Sequence, residues 1–384
     1  MNHFDVIIVG SGLVGSIAAI GAAKKGLLTA LVSPVSNFND LRTTMVMDEG
    51  VGFLKELNIW DSIQNFAEPV SSFKLVDRTD RFITAPDSVF DSSEIGLDAF
   101  GYNIPNYPFI EVMKKKISHE SLIHCFDALA DDLQIRDKDI TLTLSTGQKI
   151  IGKFIVGSDG RNSSIRRQMS CGEKKWSYPQ KALVLNFHHS MPHNGLCVEL
   201  HKHLGTVTQI PLRGNCSSLV WMMEDQEADF YHKLPAHEIS RRLEQYLYPV
   251  VGKIEVITDV QSFQLSGMMS NCFGKNRLVL AGESAHAFPP IYGQGFNLSI
   301  QDVIVLLSLI QSDKISFGDI GNRYHSMRSV DILKRMIGID LFNRSLFAQY
   351  PLLHLLRVGT FHVLKKMIPL RRQVMRQSLF VRSL

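Results

Sequence analysis

Phe4-Asp5-Val6-Ile7-Ile8-Val9-Gly10-Ser11-Gly12-Leu13-Val14-Gly15 is the stretch whose reading decides the fold. The apolar, β-branched run before Gly10 predicts a buried parallel strand. Three glycines at the spacing Gly-x-Gly-x-x-Gly follow at once, and Ala19 stands four residues beyond. The first glycine suits a tight turn, the second lets a pyrophosphate approach the backbone, and the third lets a helix lie close on the strand. The start of that helix offers free N–H groups and a positive dipole end to phosphate. Gly15 to Lys25 is the predicted helix and Leu27 to Val32 the next strand, so the chain opens on a βαβ unit. An acid is expected at the end of the second strand to hold ribose hydroxyls, but Ser33-Pro34 stands there. Serine offers one hydrogen bond rather than a charged pair.

Val6 to Ala23 carries no charge and nearly reaches membrane-spanning length. The residues before it lack the basic start of a signal peptide, and Gly10, Gly12, Gly15 and Gly21 fit a strand and a closely packed helix better. The rest of the composition is ordinary: 384 residues, 45% hydrophobic and 20% charged. That length suggests two domains, or one with a second inserted into it. A net charge of +4 is too weak to indicate nucleic acid. The cysteines at 125, 171, 197, 216 and 272 are odd in number and form no Cys-x-x-Cys pair. They predict separate thiols in a reducing compartment rather than a disulfide framework or a zinc site.

Further along, Arg42 to Leu57 and Phe109 to Leu129 are predicted helices. Val70 to Ala99 is predicted as strands and loops, and Asp139–Leu144 and Lys149–Val156 as strands. Lys174 to Gln264 holds short strand-like runs at 182–188, 206–210 and 217–222, with a helix over 236–246. Arg277–Ala281 is another buried strand and Asn297–Ile310 a helix. This order predicts a nucleotide domain interrupted by a sheet-rich insert. The tail from about Ile339 is predicted helical. Its last 20 residues carry Lys365, Lys366, Arg371, Arg372, Arg376 and Arg382, no acid, and interleaved apolar residues. Such a helix either lies on an anionic membrane surface or packs on the protein with its basic face in water.

Two more motifs carry chemistry. Val156-Gly157-Ser158-Asp159-Gly160-Arg161-Asn162-Ser163-Ser164-Ile165-Arg166 ends a strand at an Asp-Gly turn; taken alone, it is a turn with an N-cap and a basic helix start. Gly282-Glu283-Ser284-Ala285-His286-Ala287-Phe288-Pro289-Pro290-Ile291-Tyr292-Gly293-Gln294-Gly295-Phe296-Asn297 follows a buried strand and opens a helix. An acid at a strand end accepts hydrogen bonds from a polyol chain. The Pro-Pro turn presents a rigid apolar wall, and Gly293-Gln294-Gly295 exposes backbone N–H groups that stabilise negative charge.

Together these motifs resemble the flavoprotein monooxygenases of the para-hydroxybenzoate hydroxylase group, and within it most closely the ubiquinone-biosynthesis hydroxylases. Arg42-Thr43-Thr44, Leu54 to Trp60, Gly101 to Asn106, Asn343-Arg344-Ser345-Leu346 and Leu370-Arg371-Arg372 with Met375-Arg376 are similar to that subgroup's segments. The resemblance covers nearly the whole chain and is weakest across about 173–270. It implies an α/β fold: a Rossmann-type FAD-binding domain (1–75, 98–172 and 276–335), an inserted sheet-rich substrate domain (76–97 and 173–275) and a helical C-terminal tail (336–384).

The resemblance also assigns residues. Gly10, Gly12 and Gly15 match the FAD pyrophosphate loop, and Ser33 takes the ribose position. Arg42 matches an arginine near the ribose and phosphates, and Asn106 a polar FAD contact. Asp159 and Gly160 match a motif serving FAD and NAD(P)H pyrophosphate, with Arg166 in the same segment. Glu283 stands where the family holds ribityl with an aspartate one methylene shorter. Pro289, Gly293, Gln294, Gly295 and Asn297 match the loop facing the isoalloxazine ring.

The implied chemistry is NAD(P)H reduction of FAD, capture of O₂ as a C4a-hydroperoxide, and hydroxylation of a polyprenylated phenol in ubiquinone biosynthesis. It calls for a water-excluding apolar pocket beside Pro289-Pro290. No catalytic base stands out. His286 is expected to belong to the loop scaffold, and His188-His189 and His201-x-His203 have no carboxylate at ligand spacing to suggest a metal. The expected location is cytoplasmic, with the inner membrane surface and other quinone-biosynthesis enzymes as partners. A non-catalytic scaffold of the same fold, or another FAD-dependent reductase, are the alternatives; Ser33 and Glu283 favour the scaffold.

Overall fold

The computed structural model describes residues 2–35, 40–79, 85–202, 205–289, 293–311, 316–347, 358–359, 362–363 and 367–379, with side chains omitted for 339–347 and 377–379. Pro290, His203, Lys365, Lys366 and Arg382 lie outside these residues.

A parallel sheet organises the first layer. Asn2–Val9 lies between Lys149–Gly157 and Thr29–Val32; Leu278–Leu280 extends one side and Ile123–Phe126 the other. Parallel strands buried on both faces need continuous apolar runs, and Val6, Ile7, Ile8, Phe154, Ile155, Val156 and Val279 are all buried. The helix Leu13–Lys24 packs on it through Ile17, Ala18, Ala19, Ala22 and Ala23. Gly21 meets the Leu307 side chain of the helix Gln294–Ile310, which a larger residue there would displace.

A second sheet of nine strands crosses the insert. Its order runs from His286–Ala287 through Gln261–Ser270, Glu173–His189, Cys216–Glu224, Gly205–Leu212, Leu196–Lys202 and Ser72–Arg78 to Ser88–Asp91, with Ile254–Val256 beside Glu173–His189. Its two faces differ. Leu183, Leu185, Phe187, Val198, Leu200, Val207, Leu219 and Trp221 pack with Ile239, Leu243, Leu247 and Val251 of the helix Ala236–Val251. Successive side chains on a strand alternate in direction, so the partners of these residues in each strand point the other way, toward the first layer. A small sheet of Thr43–Met47, Gly101–Pro105 and Glu68–Val70 lies in the junction: Thr43 meets Ser218, Asn103 donates to the Pro211 carbonyl, and Met45 and Met47 cluster with Cys197.

Three expectations need correction. The helix expected from Arg42 starts late: Thr43–Met47 is a strand, and Asp48–Glu56 is the helix. Thr43, Thr44 and Val46 are β-branched and find a partner strand, whereas Asp48 and Glu49 favour a helix N-terminus. The helix expected over 109–129 is Asn106–Ser118, and Ile123–Phe126 is a strand at the parallel sheet's edge. A four-residue apolar run does not distinguish helix from strand by periodicity. Finally, Cys171 and Cys272 form a disulfide, 101 residues apart, with Cα atoms 5.9 Å apart. They sit just before the strand that enters the insert and just after the strand that leaves it. Those strands are antiparallel neighbours, from Glu173 opposite Ser270 to Val184 opposite Gln261, so tertiary pairing brings together cysteines that spacing kept apart.

Candidate active site

The first motif is built as its glycines require. Gly10 has φ +106°, and a Cβ there would lie 2.4 Å from the Ser158 carbonyl oxygen. A Cβ on Gly15 would lie 1.9 Å from the Gly10 oxygen, whereas one on Gly12 meets nothing within 4 Å. Gly12 therefore borders open space at the N-terminus of the helix Leu13–Lys24, where no side chain supplies a cap. A phosphate would find free N–H donors there. Ser33 ends its strand with its hydroxyl 3.3 Å from the Pro34 carbonyl oxygen. Asp127, which sequence reasoning passed over, lies at the end of the neighbouring strand and accepts from Val35 N–H at 2.8 Å.

The second motif touches the first. Ser158 N–H donates to the Val9 carbonyl at 2.7 Å, and its hydroxyl reaches the same oxygen at 2.9 Å. Asp159 is engaged locally: one carboxylate oxygen takes Ser164 N–H at 2.6 Å and the other the Ser163 hydroxyl. Ser163 in turn caps the helix Ser164–Gln168. A Cβ on Gly160 would meet nothing within 4 Å. Arg166 is buried and joins the second motif to the third, donating to the Ser284 carbonyl at 2.7 Å and pairing with Glu173 at 2.5 Å.

The third motif is held from behind by a residue that sequence reasoning missed. Asp302, fully buried on the helix Gln294–Ile310, accepts from Gly282 N–H at 2.9 Å, His286 Nε2 at 2.7 Å and Arg328 Nε at 2.8 Å. Burial pushes the Asp302 carboxyl up, but His286 and Arg328 outweigh it and hold it below its ordinary value. His286 is thus enclosed in the scaffold. Glu283 projects outward and pairs with Arg161 at 3.1 Å.

Asn297 stitches the glycine turn to the junction sheet: its amide donates to the Met45 and Gly293 carbonyls and accepts from Met47 N–H. Gly293 has φ +60°, and a Cβ there would come 2.9 Å from Met45 Cβ. Around Gly295 nothing stands within 4 Å of such a Cβ, while Pro289 continues the buried segment Ala285–Phe288.

Arg42 is set by Asp40, another residue without a sequence signal. The carboxylate takes Nε at 2.8 Å and a terminal nitrogen at 2.7 Å, and the guanidinium lies 5.4 Å from the Phe263 ring centre. Burial raises the Asp40 pKa, but its bonds to Arg42 and Asn106 bring it below the ordinary value. Asn106 is buried, donates to Asp40 at 2.9 Å and accepts from Thr44 at 2.5 Å. It positions Asp40 and, through it, Arg42.

On the insert sheet, Glu199 and His201 are both buried, with Glu199 Oε1 2.8 Å from His201 Nε2. The expectation that no carboxylate accompanies these histidines is therefore wrong at His201. The Glu-x-His spacing was readable as one face of a strand, and the strand itself escaped notice.

The three separated motifs thus meet at the ends of the parallel strands, where ligands bind in open α/β sheets. The glycine cradles fit an extended dinucleotide: two positions are closed by backbone, and three stand open. Residues 3–312 match the family described as FAD binding domain. The chain is 26% identical to the ubiquinone hydroxylase UbiL of Rhodospirillum rubrum over 98% of this chain and 89% of that protein. It is 23% identical to the 3-demethoxyubiquinol 3-hydroxylase of Escherichia coli K12, over 98% of both chains. In fold it is similar to p-nitrophenol 4-monooxygenase PnpA from Pseudomonas putida DLL-E4, with a TM-score of 0.78 at 15% identity, covering 99% of this chain and 97% of that one.

Proposed function

From a chain that belongs to the FAD-binding-domain family, we propose a flavin-dependent monooxygenase that hydroxylates the aromatic ring of a polyprenylated phenol in ubiquinone biosynthesis. The observation that carries this reading is the meeting of the three motifs at the ends of neighbouring parallel strands. The names of the full-length relatives support the substrate class. The domain division expected from sequence is adopted as part of the proposal: a flavin unit, an inserted substrate unit and a helical tail.

The reaction balances as phenol, O₂, NAD(P)H and a proton giving the hydroxylated phenol, NAD(P)⁺ and water. Bound FAD supplies the two-electron redox chemistry and the activation of O₂. The chain's own residues do the rest. Gly10, Gly12, Gly15 and the first helix take the pyrophosphate; Ser33, Arg42 with Asp40 and Asn106, and Asp159-Gly160 serve the adenosine and phosphate end. Glu283 takes ribityl once its carboxylate turns from Arg161. Pro289, Gly293, Gln294, Gly295 and the start of the helix Gln294–Ile310 face the ring, with Asn297 holding the turn. Met45, Met47, Cys197 and Ile210 form an apolar cluster beside that turn, which excludes water from the reacting atoms.

A polyprenyl tail brings the substrate to a membrane surface. Among the described residues no helix is long and apolar enough to cross a membrane. The helix Ile368–Leu379 is docked by Met375 and Arg371 and, with Met367 just before it, exposes Ile368 and Leu370 beside Arg372 and Arg376. This supports a peripheral contact, from which other quinone-biosynthesis enzymes are within reach. In a liposome flotation assay, a chain cut after Phe361 should lose binding; unchanged flotation would count against the contact.

The activity test uses purified protein, NADH or NADPH, O₂ and a short-prenyl phenol. Hydroxylated product with matched O₂ consumption is expected. A colourless protein that cannot be reconstituted with FAD, lacking absorbance near about 450 nm, would favour the scaffold reading. NAD(P)H oxidation without hydroxylation of any phenol would favour another reductase.

A further inference from the structure

Glu199 and His201 form a buried acid–base pair that the fold places on the substrate side of the insert sheet. Val198 and Leu200, which flank Glu199, belong to the face covered by the helix Ala236–Val251. Glu199 and His201 therefore project from the opposite face. On that face, the same strand's Cys197 clusters with Met45 and Ile210, and Met45 lies against Gly293 of the ring-facing turn. Glu199 follows two positions along the strand, about 7 Å from Cys197, and His201 four positions along, about 13 Å from it. Its cross-strand neighbours are Leu75 and Thr208, and Val220 follows on the next strand. All three are half-buried.

The chemistry of the pair is directional. Glu199 Oε1 stands 2.8 Å from His201 Nε2, so an ionised Glu199 accepts the Nε2 proton and leaves the Nδ1 lone pair basic. Thr206, directly opposite His201, carries a buried Oγ1 with no hydrogen-bond partner among the described residues. An unpaired buried hydroxyl beside a histidine fits a site that completes its hydrogen bonds with a ligand.

We propose that His201 is the base that takes the phenolic proton of the substrate, with Glu199 as its positioning residue. This rests on the hydroxylase reading. An electron-rich ring reacts faster as phenolate than as phenol, so proton removal prepares the ring. The phenol O–H bond breaks and its proton goes to His201 Nδ1. After one oxygen atom enters the ring, the ring carbon's proton leaves to water and His201 returns its proton to the phenolic oxygen. The pair ends unchanged. Among the described residues, the titratable groups on the same face include Asp77, opposite His201, and Cys197, with Cys216, Glu224 and His188 further across the sheet; Glu94 and Arg371 pair with each other at the sheet edge beyond Phe73.

The test compares wild-type enzyme with His201→Gln, Glu199→Gln and Glu199→Asp, all scored first for FAD content and for the rate of flavin reduction by NAD(P)H. Both should be unchanged. Hydroxylation of an ordinary phenol should fall about 100-fold in His201→Gln, with loss of the acid limb of the kcat–pH profile. Glu199→Gln should fall about 10-fold with that limb displaced, and Glu199→Asp should recover part of the loss. With a phenol bearing an electron-withdrawing group, already ionised at the assay pH, the ratio of wild-type to variant rates should shrink to within about threefold. Equal losses on both phenols, or an unmoved pH profile, would overturn the proposal. If the variants fail to fold, the wild-type protein decides: bound phenol should show phenolate absorbance below its solution pKa, and a bound neutral phenol throughout would refute the assignment. Failure of the wild-type enzyme to hydroxylate any phenol would instead sink the reaction class.

Discussion

Gly12 and Gly15 are three residues apart and answer to different physics, which makes them a sharp pair. Adding a methyl group at Gly15 drives it into the Gly10 carbonyl, so Gly15→Ala should destabilise the apoprotein by about 1–3 kcal/mol. Gly12 borders open space and has φ −63°, where alanine is comfortable. Gly12→Ala should leave the apoprotein within about 0.5 kcal/mol of wild type yet weaken FAD binding. Chemical denaturation of both apoproteins, alongside FAD fluorescence titration, checks this; equal destabilisation by both changes would refute the assignment of roles. Asp302 gives a second prediction. Asp302→Asn removes one of the two carboxylates that pair with buried Arg328, leaving Asp331 as the other, and should cost about 1–3 kcal/mol. Because the folded carboxyl is depressed, its contribution is complete above the unfolded value near about 4 and is lost as pH falls through the folded one. Urea midpoints from pH 7 to pH 3 should fall more steeply in wild type than in the variant. The glycines were legible because each role is local. Asp302, Asp40 and Glu199 were not, because each acts on partners supplied by other elements or by a strand face that had to be known first.

At the scale of elements, the strand and helix of the opening unit were readable from apolar runs and glycine punctuation, as were Lys149–Gly157 and Leu278–Leu280. Thr43–Met47 and Ile123–Phe126 were not: short runs take their form from the strand beside them. Of the two behaviours anticipated for the tail, its described helix shows packing on the protein. The helix Ile368–Leu379 packs on the body through Met375 in a cluster with Ile95 and Phe100, and Arg371 pairs with Glu94 while lying 4.7 Å from the Phe90 ring centre. Its basic outer face stays in solvent. Arg371→Ala removes a charged pair and a cation–π contact, together worth about 1–2 kcal/mol at a half-buried site. Limited proteolysis should release the tail about tenfold faster from the variant at unchanged FAD content, as a 1.4 kcal/mol change implies about that factor. An unaltered cleavage rate would show that these contacts do not hold the helix.

For the whole molecule, one covalent link ties the nucleotide layer to both crossings of the insert. The Cys171–Cys272 disulfide closes a loop of 101 residues that contains most of the second sheet. Chain-entropy arguments give such a loop up to about 4–5 kcal/mol, acting through the unfolded state. Cys171→Ser with Cys272→Ser should lower the denaturation midpoint, and reductant should do the same to wild type while leaving the double variant unmoved. Reductant sensitivity in the double variant would place the effect elsewhere. The layered architecture was legible from the order of motifs, since a nucleotide loop early and its counterpart late require the middle of the chain to leave and return. The facing of the two sheets was not, because it depends on which side of the insert the helix Ala236–Val251 covers.

Whether three distant backbone segments grip one flavin is decided by a crystal structure of the protein grown with FAD. One FAD per chain is expected, its pyrophosphate over Gly12 at the first helix and its ring against Pro289 and Gly293, facing the sheet that carries Glu199 and His201. FAD lying outside these segments, or a cradle that stays empty at saturating FAD, would contradict it.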